Sequence, residues 1–308
     1  MANSPNYRIK IPSGSELFEP FTTHYSLLTN YLTPLELLSV KPFVNFYDII
    51  YSMKIGIIGL GLIGGSLFRE LSEAYDVIAV SKSQSGDRIF KSYEVLKDRD
   101  IVFVCTAMNA TLKVLDDLEN ILSPETIVTD VCSLKEFVCK KQRPYRFIPS
   151  HPMAGTEHKG FENSFKGLFK GAKWVIINSY AAMQLSSEAV KPLLEVIDRV
   201  GAKPVFATAE EHDKAAAMIS HMPMVVAQAL VLAAKDNPLA LEMAASGFRD
   251  MTRLALSNEE MACDMVSMNH KNIEQSILKL YKSLGELLTD NYPKTIAKIK
   301  EIRSGMYK

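Results

Sequence analysis

The sequence predicts an α/β protein with a doubly wound, mainly parallel sheet, followed by an all-helical second domain. Short runs rich in Val and Ile alternate with segments of helical period from Met53 to Thr208, and apolar residues at helical spacing prevail after that. Near-continuous apolar runs joined by helices indicate parallel strands buried on both faces. We therefore expect two domains, 53–208 and 209–308, preceded by a poorly ordered extension, 1–52, of unknown role.

The individual elements follow from the same patterns. Helical spacing is clearest in 62–74 and 109–121, between apolar runs. The segments with strand character are 54–59, 76–81, 100–106, 126–131, 146–150, 173–178 and 203–208. Near the end of the chain, apolar residues recur at spacings of four and three, at Ile273, Ile277, Leu280, Leu284 and Leu287. This helical seam is expected to be internal core, with a contact between two copies of the chain as the alternative.

Composition excludes some classes of partner. The chain has 308 residues, 47% of them hydrophobic, with 35 basic and 35 acidic side chains. This balance gives no electrostatic reason to expect nucleic acid or an anionic membrane. No apolar run of 18 residues stands out, so we expect no transmembrane helix. The four cysteines form no C-x-x-C pair, which favours reduced thiols in a cytoplasmic protein, although 1–52 leaves import into an organelle open.

The stretch "GLGLIGG" predicts a dinucleotide site. Gly59, Gly61 and Gly64 have the G-x-G-x-x-G order, directly after an apolar strand and at the start of a helix. The first glycine permits a tight turn, the second lets the backbone approach a pyrophosphate, and the third allows close packing of helix and strand. We expect the loop with Leu62 and Ile63, and Thr106 after the third strand, to bind the cofactor, as in a Rossmann-type domain. The alternative is a plain strand–turn–helix.

The end of the second strand favours NADP. NAD-preferring sites usually have an acidic residue there, which binds the ribose 2′-hydroxyl. This chain instead has "VSKSQS", with Ser81 and Lys82 and no acid. Hydroxyl and ammonium groups would hold a 2′-phosphate by charge-assisted hydrogen bonds. NADP is therefore the favoured cofactor, with NAD possible and Lys82 as a merely solvated lysine as the alternative.

Five motifs occur together in a recognisable order. They are "GLGLIGGS" (59–66), "VTDVCSLK" (128–135), "HPMAGTE" (151–157), "ISHMP" (219–223) and "SGFRDMTR" (246–253). From about Met53 to about Leu288 the chain resembles the prephenate/arogenate dehydrogenase family of tyrosine biosynthesis. The resemblance implies oxidation of a cyclohexadienol acid at its ring hydroxyl carbon, with hydride transfer to a nicotinamide and loss of the ring carboxylate as carbon dioxide.

The resemblance also implies catalytic roles for two residues. His151 would accept the hydroxyl proton, a task that suits a neutral imidazole. No cluster with metal-ligand spacing accompanies it, so we expect no metal. Ser133 would lie near the same hydroxyl. Its alternative role is to cap a helix, in a capping box with Glu136 three residues later.

Four further residues would bind the substrate by resemblance: Thr156, Glu157, His221 and Arg253. A guanidinium can hold a carboxylate through two hydrogen bonds, so Arg253 is the expected anchor, with a surface ion pair as its alternative. For His221 the alternative is a core histidine. Many prephenate-using relatives have a histidine where this chain has Met224, which favours arogenate as substrate.

The resemblance further implies a homodimer through the helical domain. Two other functions stay open. One is another two-domain hydroxy-acid dehydrogenase, for which Lys214 or Lys235 would be the base, although neither lies in a fitting motif. The other is a non-catalytic NADP-binding protein.

Overall fold

A computed structural model describes residues 53–156, 158–177, 187–289 and 291–306. Its main sheet has six strands, all parallel, in the order β3-β2-β1-β4-β5-β6. The strands are β1 Lys54–Ile58, β2 Asp76–Val80, β3 Ile89–Phe90, β4 Ile101–Val104, β5 Ile127–Asp130 and β6 Arg146–Phe147. This order confirms the predicted Rossmann-type sheet, and it places the ends of β1 and β4 side by side, where such folds bind ligands.

Helices cover both faces of this sheet. Helix α1, Leu62–Leu71, follows β1, and helix α2, Met108–Asp117, follows β4. Leu67 of α1 packs with Phe103 and Trp174 on one face, and Leu115 of α2 packs with Val102 on the other. The strands are therefore buried on both sides, which explains why they have no polar alternation in the sequence.

Beyond β6 the chain forms a second sheet, which the sequence did not predict. Strands β7, Ser150–Pro152, β8, Lys173–Ile177, and β9, Lys203–Ala207, form a separate three-stranded sheet. In it β7 is antiparallel to β8, and β8 is parallel to β9. The chain changes sheets at Pro149: Ile148 N still donates to Val128 O, but Pro149 has no N–H to donate, and its carbonyl accepts from Ile177 N.

The chain is helical from Ala209 onward, as predicted for the second domain. Thr208 caps the helix that begins at Ala209, in a capping box with Glu211. The helices are α3 Ser187–Arg199, α4 Ala209–Ala216, α5 Met222–Ala234, α6 Pro238–Glu242, α7 Ser246–Thr252, α8 Glu259–Met268, α9 His270–Leu287 and α10 Tyr292–Gly305. A π-helical turn, Ala217–His221, joins α4 to α5, and a 3₁₀ turn, Arg253–Leu256, follows α7.

Among the described residues, the helical seam on α9 is only partly buried, with Leu280 and Leu287 half-buried. Ile273 is buried, but Ile277 and Leu284 are 37% and 49% exposed, and Tyr281 is 76% exposed. The spacing predicted the helix correctly, because a period of three and four residues defines a helix face. It did not determine what covers that face.

One apolar stretch also differs from the expectation. The helical run Ala209–Ala234 is long and apolar enough to cross a membrane by length and composition, with a mean hydropathy of 1.7 over 18 residues. Polar residues such as Ser220 and Gln228 interrupt the stretch, but they do not lower its mean below that of a candidate span. Most of it is not buried within this chain.

Candidate active site

The glycine loop has the geometry that its sequence predicts. Gly59 has a positive φ of 90°, and a Cβ there would lie 2.6 Å from Cys105 O. A Cβ on Gly64 would lie 2.0 Å from Gly59 O, which is far inside contact distance. At Gly61 an added Cβ would meet nothing within 4 Å, so the backbone at the start of α1 faces open space. The loop therefore fits a pyrophosphate at a helix N-terminus.

A cavity of about 790 Å³ extends from this loop to the helical part of the chain. On the sheet side it is lined by Gly61, Leu62, Ile63, Thr106, Ser133 and His151. On the helical side it is lined by Ser220, Met224, Arg253, Glu260 and Asp264. The cofactor loop and two of the four predicted substrate residues, Thr156 and Arg253, thus share one space, large enough for a small ligand beside a nicotinamide.

His151 lies in the wall of the cavity on β7 and is backed by a second histidine. Its Nδ1 is 2.9 Å from His212 Nε2, and His212 Nδ1 is 2.7 Å from Asp213 Oδ1. His212 and Asp213 are both buried on α4. Asp213 also accepts hydrogen bonds from the backbone N–H groups of Lys135 and Glu136. This arrangement was not predicted from the sequence, although "EEHD" puts a histidine and an acid side by side at the start of a helix.

The surroundings of His151 favour its neutral form. Burial lowers its pKa well below the usual 6.5, and the positive charge of Lys135 and the neighbouring His212 and His221 act in the same direction. A histidine that stays neutral near pH 7 can accept a proton. The same effect of burial lowers the pKa of His221 to about 4.

The segment that carries Ser133 is held from both sides. Lys135 is fully buried, and its Nζ donates to Asp130 Oδ2 at 2.5 Å and to Ser150 O at 2.6 Å. Ser133 Oγ donates to Met108 Sδ at 3.3 Å. No helix begins at Ser133, so the structure does not support the alternative of a capping box with Glu136. The backbone N–H of Glu136 is bound by Asp213, which lies far away in the sequence.

The predicted substrate residues fall into three groups. Thr156 and Arg253 line the cavity, Arg253 from the 3₁₀ turn after α7. Glu157 lies outside the described residues. His221 is fully buried behind the wall, where its Nδ1 is 3.1 Å from Asn269 Nδ2. The structure does not bring His221 to the cavity, and the alternative of a core histidine fits this placement. Met224 is buried and forms part of the apolar wall.

The loop after β2 is compact and lies apart from the residues that line the cavity. Ser81 is buried, and its Oγ accepts from Gln84 N at 3.1 Å. Lys91 Nζ donates to the carbonyls of Ser81, Lys82 and Gln84 and so ties the loop together. Lys82 itself is exposed at the tip. The hydroxyl of Ser81 is therefore engaged within the loop, and Lys82 is better placed than Ser81 to meet an anionic group.

The site shows no group of three His, Cys, Asp or Glu side chains that could hold a metal, as far as the described residues go. Cys105 and Cys132 line the cavity as thiols. Burial raises the pKa of Cys132 to about 12, which keeps it protonated and a poor nucleophile.

Two family models match this chain. Residues 74–226 match the model of the prephenate dehydrogenase nucleotide-binding domain, and residues 208–299 match that of the prephenate dehydrogenase dimerization domain. Together they span residues 74–299, which include strands β2 to β9, His151 and Arg253, whereas β1 and the glycine loop precede the matched residues.

Individual relatives agree with these matches. The prephenate dehydrogenase of Lactococcus lactis is 28% identical over 82% of this chain and 78% of its own length. The crystal structure of Synechocystis arogenate dehydrogenase is 31% identical, covers 82% of this chain and 96% of its own, and superposes with a TM-score of 0.67. Prephenate dehydrogenase from A. aeolicus, solved with hydroxyphenyl propionate and NAD+, is 26% identical with the same coverage and a TM-score of 0.69.

Proposed function

The chain belongs to the prephenate dehydrogenase family, and on that premise we propose that it converts arogenate to tyrosine with NADP as its preferred cofactor. The coarser assignment follows from the family: the protein is an oxidoreductase for an oxidative decarboxylation in tyrosine biosynthesis. Prephenate as substrate and NAD as cofactor are the alternatives within that assignment.

The reaction has simple requirements. The ring carbon that bears the hydroxyl loses a hydride, the hydroxyl loses its proton, and the ring carboxylate leaves as carbon dioxide. The electron pair left by the carboxylate completes the aromatic ring, and the ring oxygen regains a proton. When bound, the nicotinamide supplies the hydride acceptor. The chain must supply a base near that ring, a cation for a carboxylate, and a site closed enough to align them.

One observation carries the proposal: the glycine loop, His151 and Arg253 line the same cavity. A base placed in the cofactor's own cavity can take the hydroxyl proton while hydride leaves the adjacent carbon. The lowered pKa of His151 keeps the imidazole neutral and ready for that proton. Ser133 lines the same wall and can orient the hydroxyl by a hydrogen bond.

Arg253 is the proposed carboxylate anchor. It lies across the cavity in the helical part, so a substrate held by its guanidinium would be clamped between sheet and helices. Thr156, on the loop after β7, would add a hydrogen bond from the opposite wall. For Glu157 we keep the substrate-binding role that the family resemblance implies.

Arogenate is preferred over prephenate because of Met224. This side chain is buried with Met108, Cys132 and Met265 in an apolar part of the wall. An apolar wall offers no hydrogen bond to a keto acid side chain, in contrast to the histidine of many prephenate-using relatives. The preference for NADP rests on Lys82, since the end of β2 carries this ammonium and no carboxylate.

A second copy of the chain is the proposed cover for the apolar helix faces. Leu232 on α5, and Leu278 and Tyr281 on α9, are 63%, 62% and 76% exposed. An apolar surface of this kind marks an interaction site, and the matching domain model is that of a dimerization domain. Sedimentation of the purified protein at micromolar concentration tests this: a dimer supports it, a monomer refutes it, and binding to lipid vesicles would assign the face to a membrane instead.

The experiment that tests substrate and cofactor is a four-way assay. The full chain is given arogenate or prephenate, each with NADP or NAD, and the absorbance of the reduced cofactor is followed. Turnover with arogenate and NADP supports both finer assignments. A preference for prephenate refutes the argument from Met224, and a preference for NAD refutes the argument from Lys82.

His151→Asn separates an enzyme from a cofactor-binding protein without activity. The variant should lose turnover and still bind NADPH, because His151 is not part of the glycine loop that binds the cofactor. No turnover by the unaltered chain on any of the four pairs would favour the non-catalytic alternative. The other alternative, a hydroxy-acid dehydrogenase with a lysine base, finds no support in the geometry. Neither Lys214 nor Lys235 is among the cavity-lining residues, and Lys214 forms an exposed ion pair with Glu210.

A further inference from the structure

Two buried residues behind His151 form a chain of hydrogen bonds that ends at the cavity. His212 and Asp213 are each 4% exposed, and both come from the first turns of α4. His151 Nδ1 lies 2.9 Å from His212 Nε2, and the two rings meet edge to face at 71°. His212 Nδ1 lies 2.7 Å from Asp213 Oδ1. His212 does not line the cavity, so it can act on a substrate only through His151.

The carboxylate fixes where the proton of His212 lies. Asp213 Oδ1 accepts from Lys135 N at 2.8 Å, and Asp213 Oδ2 accepts from Glu136 N at 2.9 Å. Both oxygens therefore act as acceptors, and an ionised carboxylate can only accept. The ring nitrogen that faces Oδ1 must donate, so His212 carries a proton on Nδ1.

The proton position of His151 follows from that of His212. In a neutral ring with Nδ1 protonated, Nε2 is an acceptor. His212 Nε2 then accepts the proton of His151 Nδ1, and the lone pair of His151 is left on Nε2. This is the form in which His151 can take a proton from a ligand in the cavity.

We propose that His212 and Asp213 are positioning residues that hold His151 in the Nδ1-protonated tautomer, with its Nε2 free to act as the base. This rests on the proposed function, in which His151 accepts the hydroxyl proton. Once His151 is protonated, its Nδ1–H remains bonded to His212. The negative charge of Asp213, on the far side of the His212 ring, stabilises the resulting cation. Neither residue is among the sequence-predicted site residues.

The surroundings keep this chain of bonds rigid. Asn269 Nδ2 donates to Asp213 O at 2.9 Å. Among the described residues, the other charged and titratable groups that act on His151 are Lys135, with its partner Asp130, on the sheet side and His221 on the helical side. Because Asp213 binds the segment 135–136 as well as His212, it also sets the distance between Ser133 and His151.

The first test reads the tautomer without any substrate. The chain has six histidines, so nitrogen-15 labelling of histidine gives a spectrum that single substitutions can assign. We expect His151 with Nδ1 protonated and Nε2 bare near pH 7, and a reversed or mixed tautomer in Asp213→Asn, whose amide can present a donor to His212. A bare Nδ1 on His151 in the unaltered protein, or the same tautomer in both proteins, overturns the proposal.

The second test measures kcat and KM with the substrate pair that the four-way assay identifies. His212→Leu should lower kcat about 100-fold or more with KM changed less than about threefold, as expected when a base loses its orienting partner. His212→Gln places an amide oxygen where Nε2 was and should stay within about tenfold of the unaltered kcat. Equal losses in both variants would mean that His212 only fills space.

Matched controls separate this effect from misfolding and from failure of the proposed function. Lys214→Gln changes an exposed residue next to Asp213 and should leave kcat unchanged. Asp213→Asn can loosen the segment 135–136, so thermal unfolding is compared for all variants. If Asp213→Asn does not fold, the comparison of His212→Leu with His212→Gln decides whether His212 positions His151. If no substrate is turned over, the proposed function fails, and the spectrum still decides the tautomer.

Discussion

The ammonium of Lys135 and the carboxylate of Asp130 lie 2.5 Å apart, and neither side chain reaches solvent. Lys135 Nζ also donates to Ser150 O, the carbonyl just before His151. The pair thus fastens the end of β5 in the main sheet to β7 in the second sheet. Its position makes it a determinant of both stability and active-site geometry.

Removal of one partner should be costly. We expect Lys135→Met to lower the free energy of unfolding by about 3–5 kcal/mol, because Asp130 is left as an unpaired buried charge. The double variant Asp130→Asn, Lys135→Met should recover part of that loss. Urea denaturation gives both values. Lys113→Met breaks an exposed ion pair with Asp117 and serves as the control. A loss no larger than that of the control would contradict the structural role of the buried pair.

Two glycines in the cofactor loop should respond differently to the same change. Gly64→Ala puts a Cβ 2.0 Å from Gly59 O, so the protein should be strongly destabilised or fail to fold. Gly61→Ala meets nothing within 4 Å and should leave the thermal midpoint almost unchanged. It should nevertheless weaken NADPH binding about tenfold or more, since the methyl group occupies the space where a pyrophosphate approaches. Fluorescence titration with NADPH measures this. Unaltered NADPH binding by Gly61→Ala would show that the pyrophosphate does not bind at Gly61.

Lys82 should control the choice of cofactor. Loss of a charge-assisted hydrogen bond costs about 1.5–3 kcal/mol, so Lys82→Ala should raise KM for NADP about tenfold or more. KM for NAD should hardly change, because NAD has no 2′-phosphate. Steady-state assays with both cofactors give the ratio, and Lys97→Ala, an exposed lysine of the same domain, is the control. Equal effects on both cofactors would show that Lys82 does not read the 2′-phosphate.

The stability of the protein should fall in mild acid, in part through His221. Burial lowers the pKa of His221 to about 4 from the usual 6.5. Between these values the unfolded chain binds a proton that the folded chain excludes, so stability decreases by up to about 1.4 kcal/mol per pH unit as the pH falls. Above pH 6.5 both states are neutral and this contribution is constant. His151 acts in the same direction.

The matched variant for this prediction is His221→Asn, whose amide oxygen can still accept from Asn269. Its unfolding free energy should depend less steeply on pH between 6.5 and 4 than that of the unaltered protein. Urea denaturation at several pH values gives the two slopes. Identical slopes would mean that His221 takes up its proton in the folded state.

Local patterns in the sequence predicted the parts of the fold that local forces determine. Gly59 and Gly64 meet the short-range steric demands that the motif predicts, whereas the role of Gly61 toward a pyrophosphate stays a prediction. Strands β1, β2, β4 and β5 were predicted within one or two residues. The split into two sheets was missed, since "RFIPS" looks like one strand and only the pairing of Pro149 with Ile177 shows where the chain leaves the first sheet.

Site residues that act through distant contacts could not be found in this way. Asp213 binds segment 135–136, more than 70 positions earlier in the chain, and it takes the place of the capping box that was the alternative role for Ser133. His212 was overlooked for the same reason, because nothing in "EEHD" indicates that its ring faces His151. The seam on α9 shows the converse: its period predicts a helix face, and tertiary structure decides whether the same chain buries it.

If a second copy covers the exposed face of α9, as proposed, the stability of this protein depends on its concentration. When a second copy covers Leu278 and Tyr281, folding and association become one equilibrium, and the thermal midpoint rises with protein concentration. Each tenfold dilution then removes about 1.4 kcal/mol of association free energy per dimer. A protein expressed at low copy number would therefore work closer to its unfolding limit than the concentrated sample in a calorimeter.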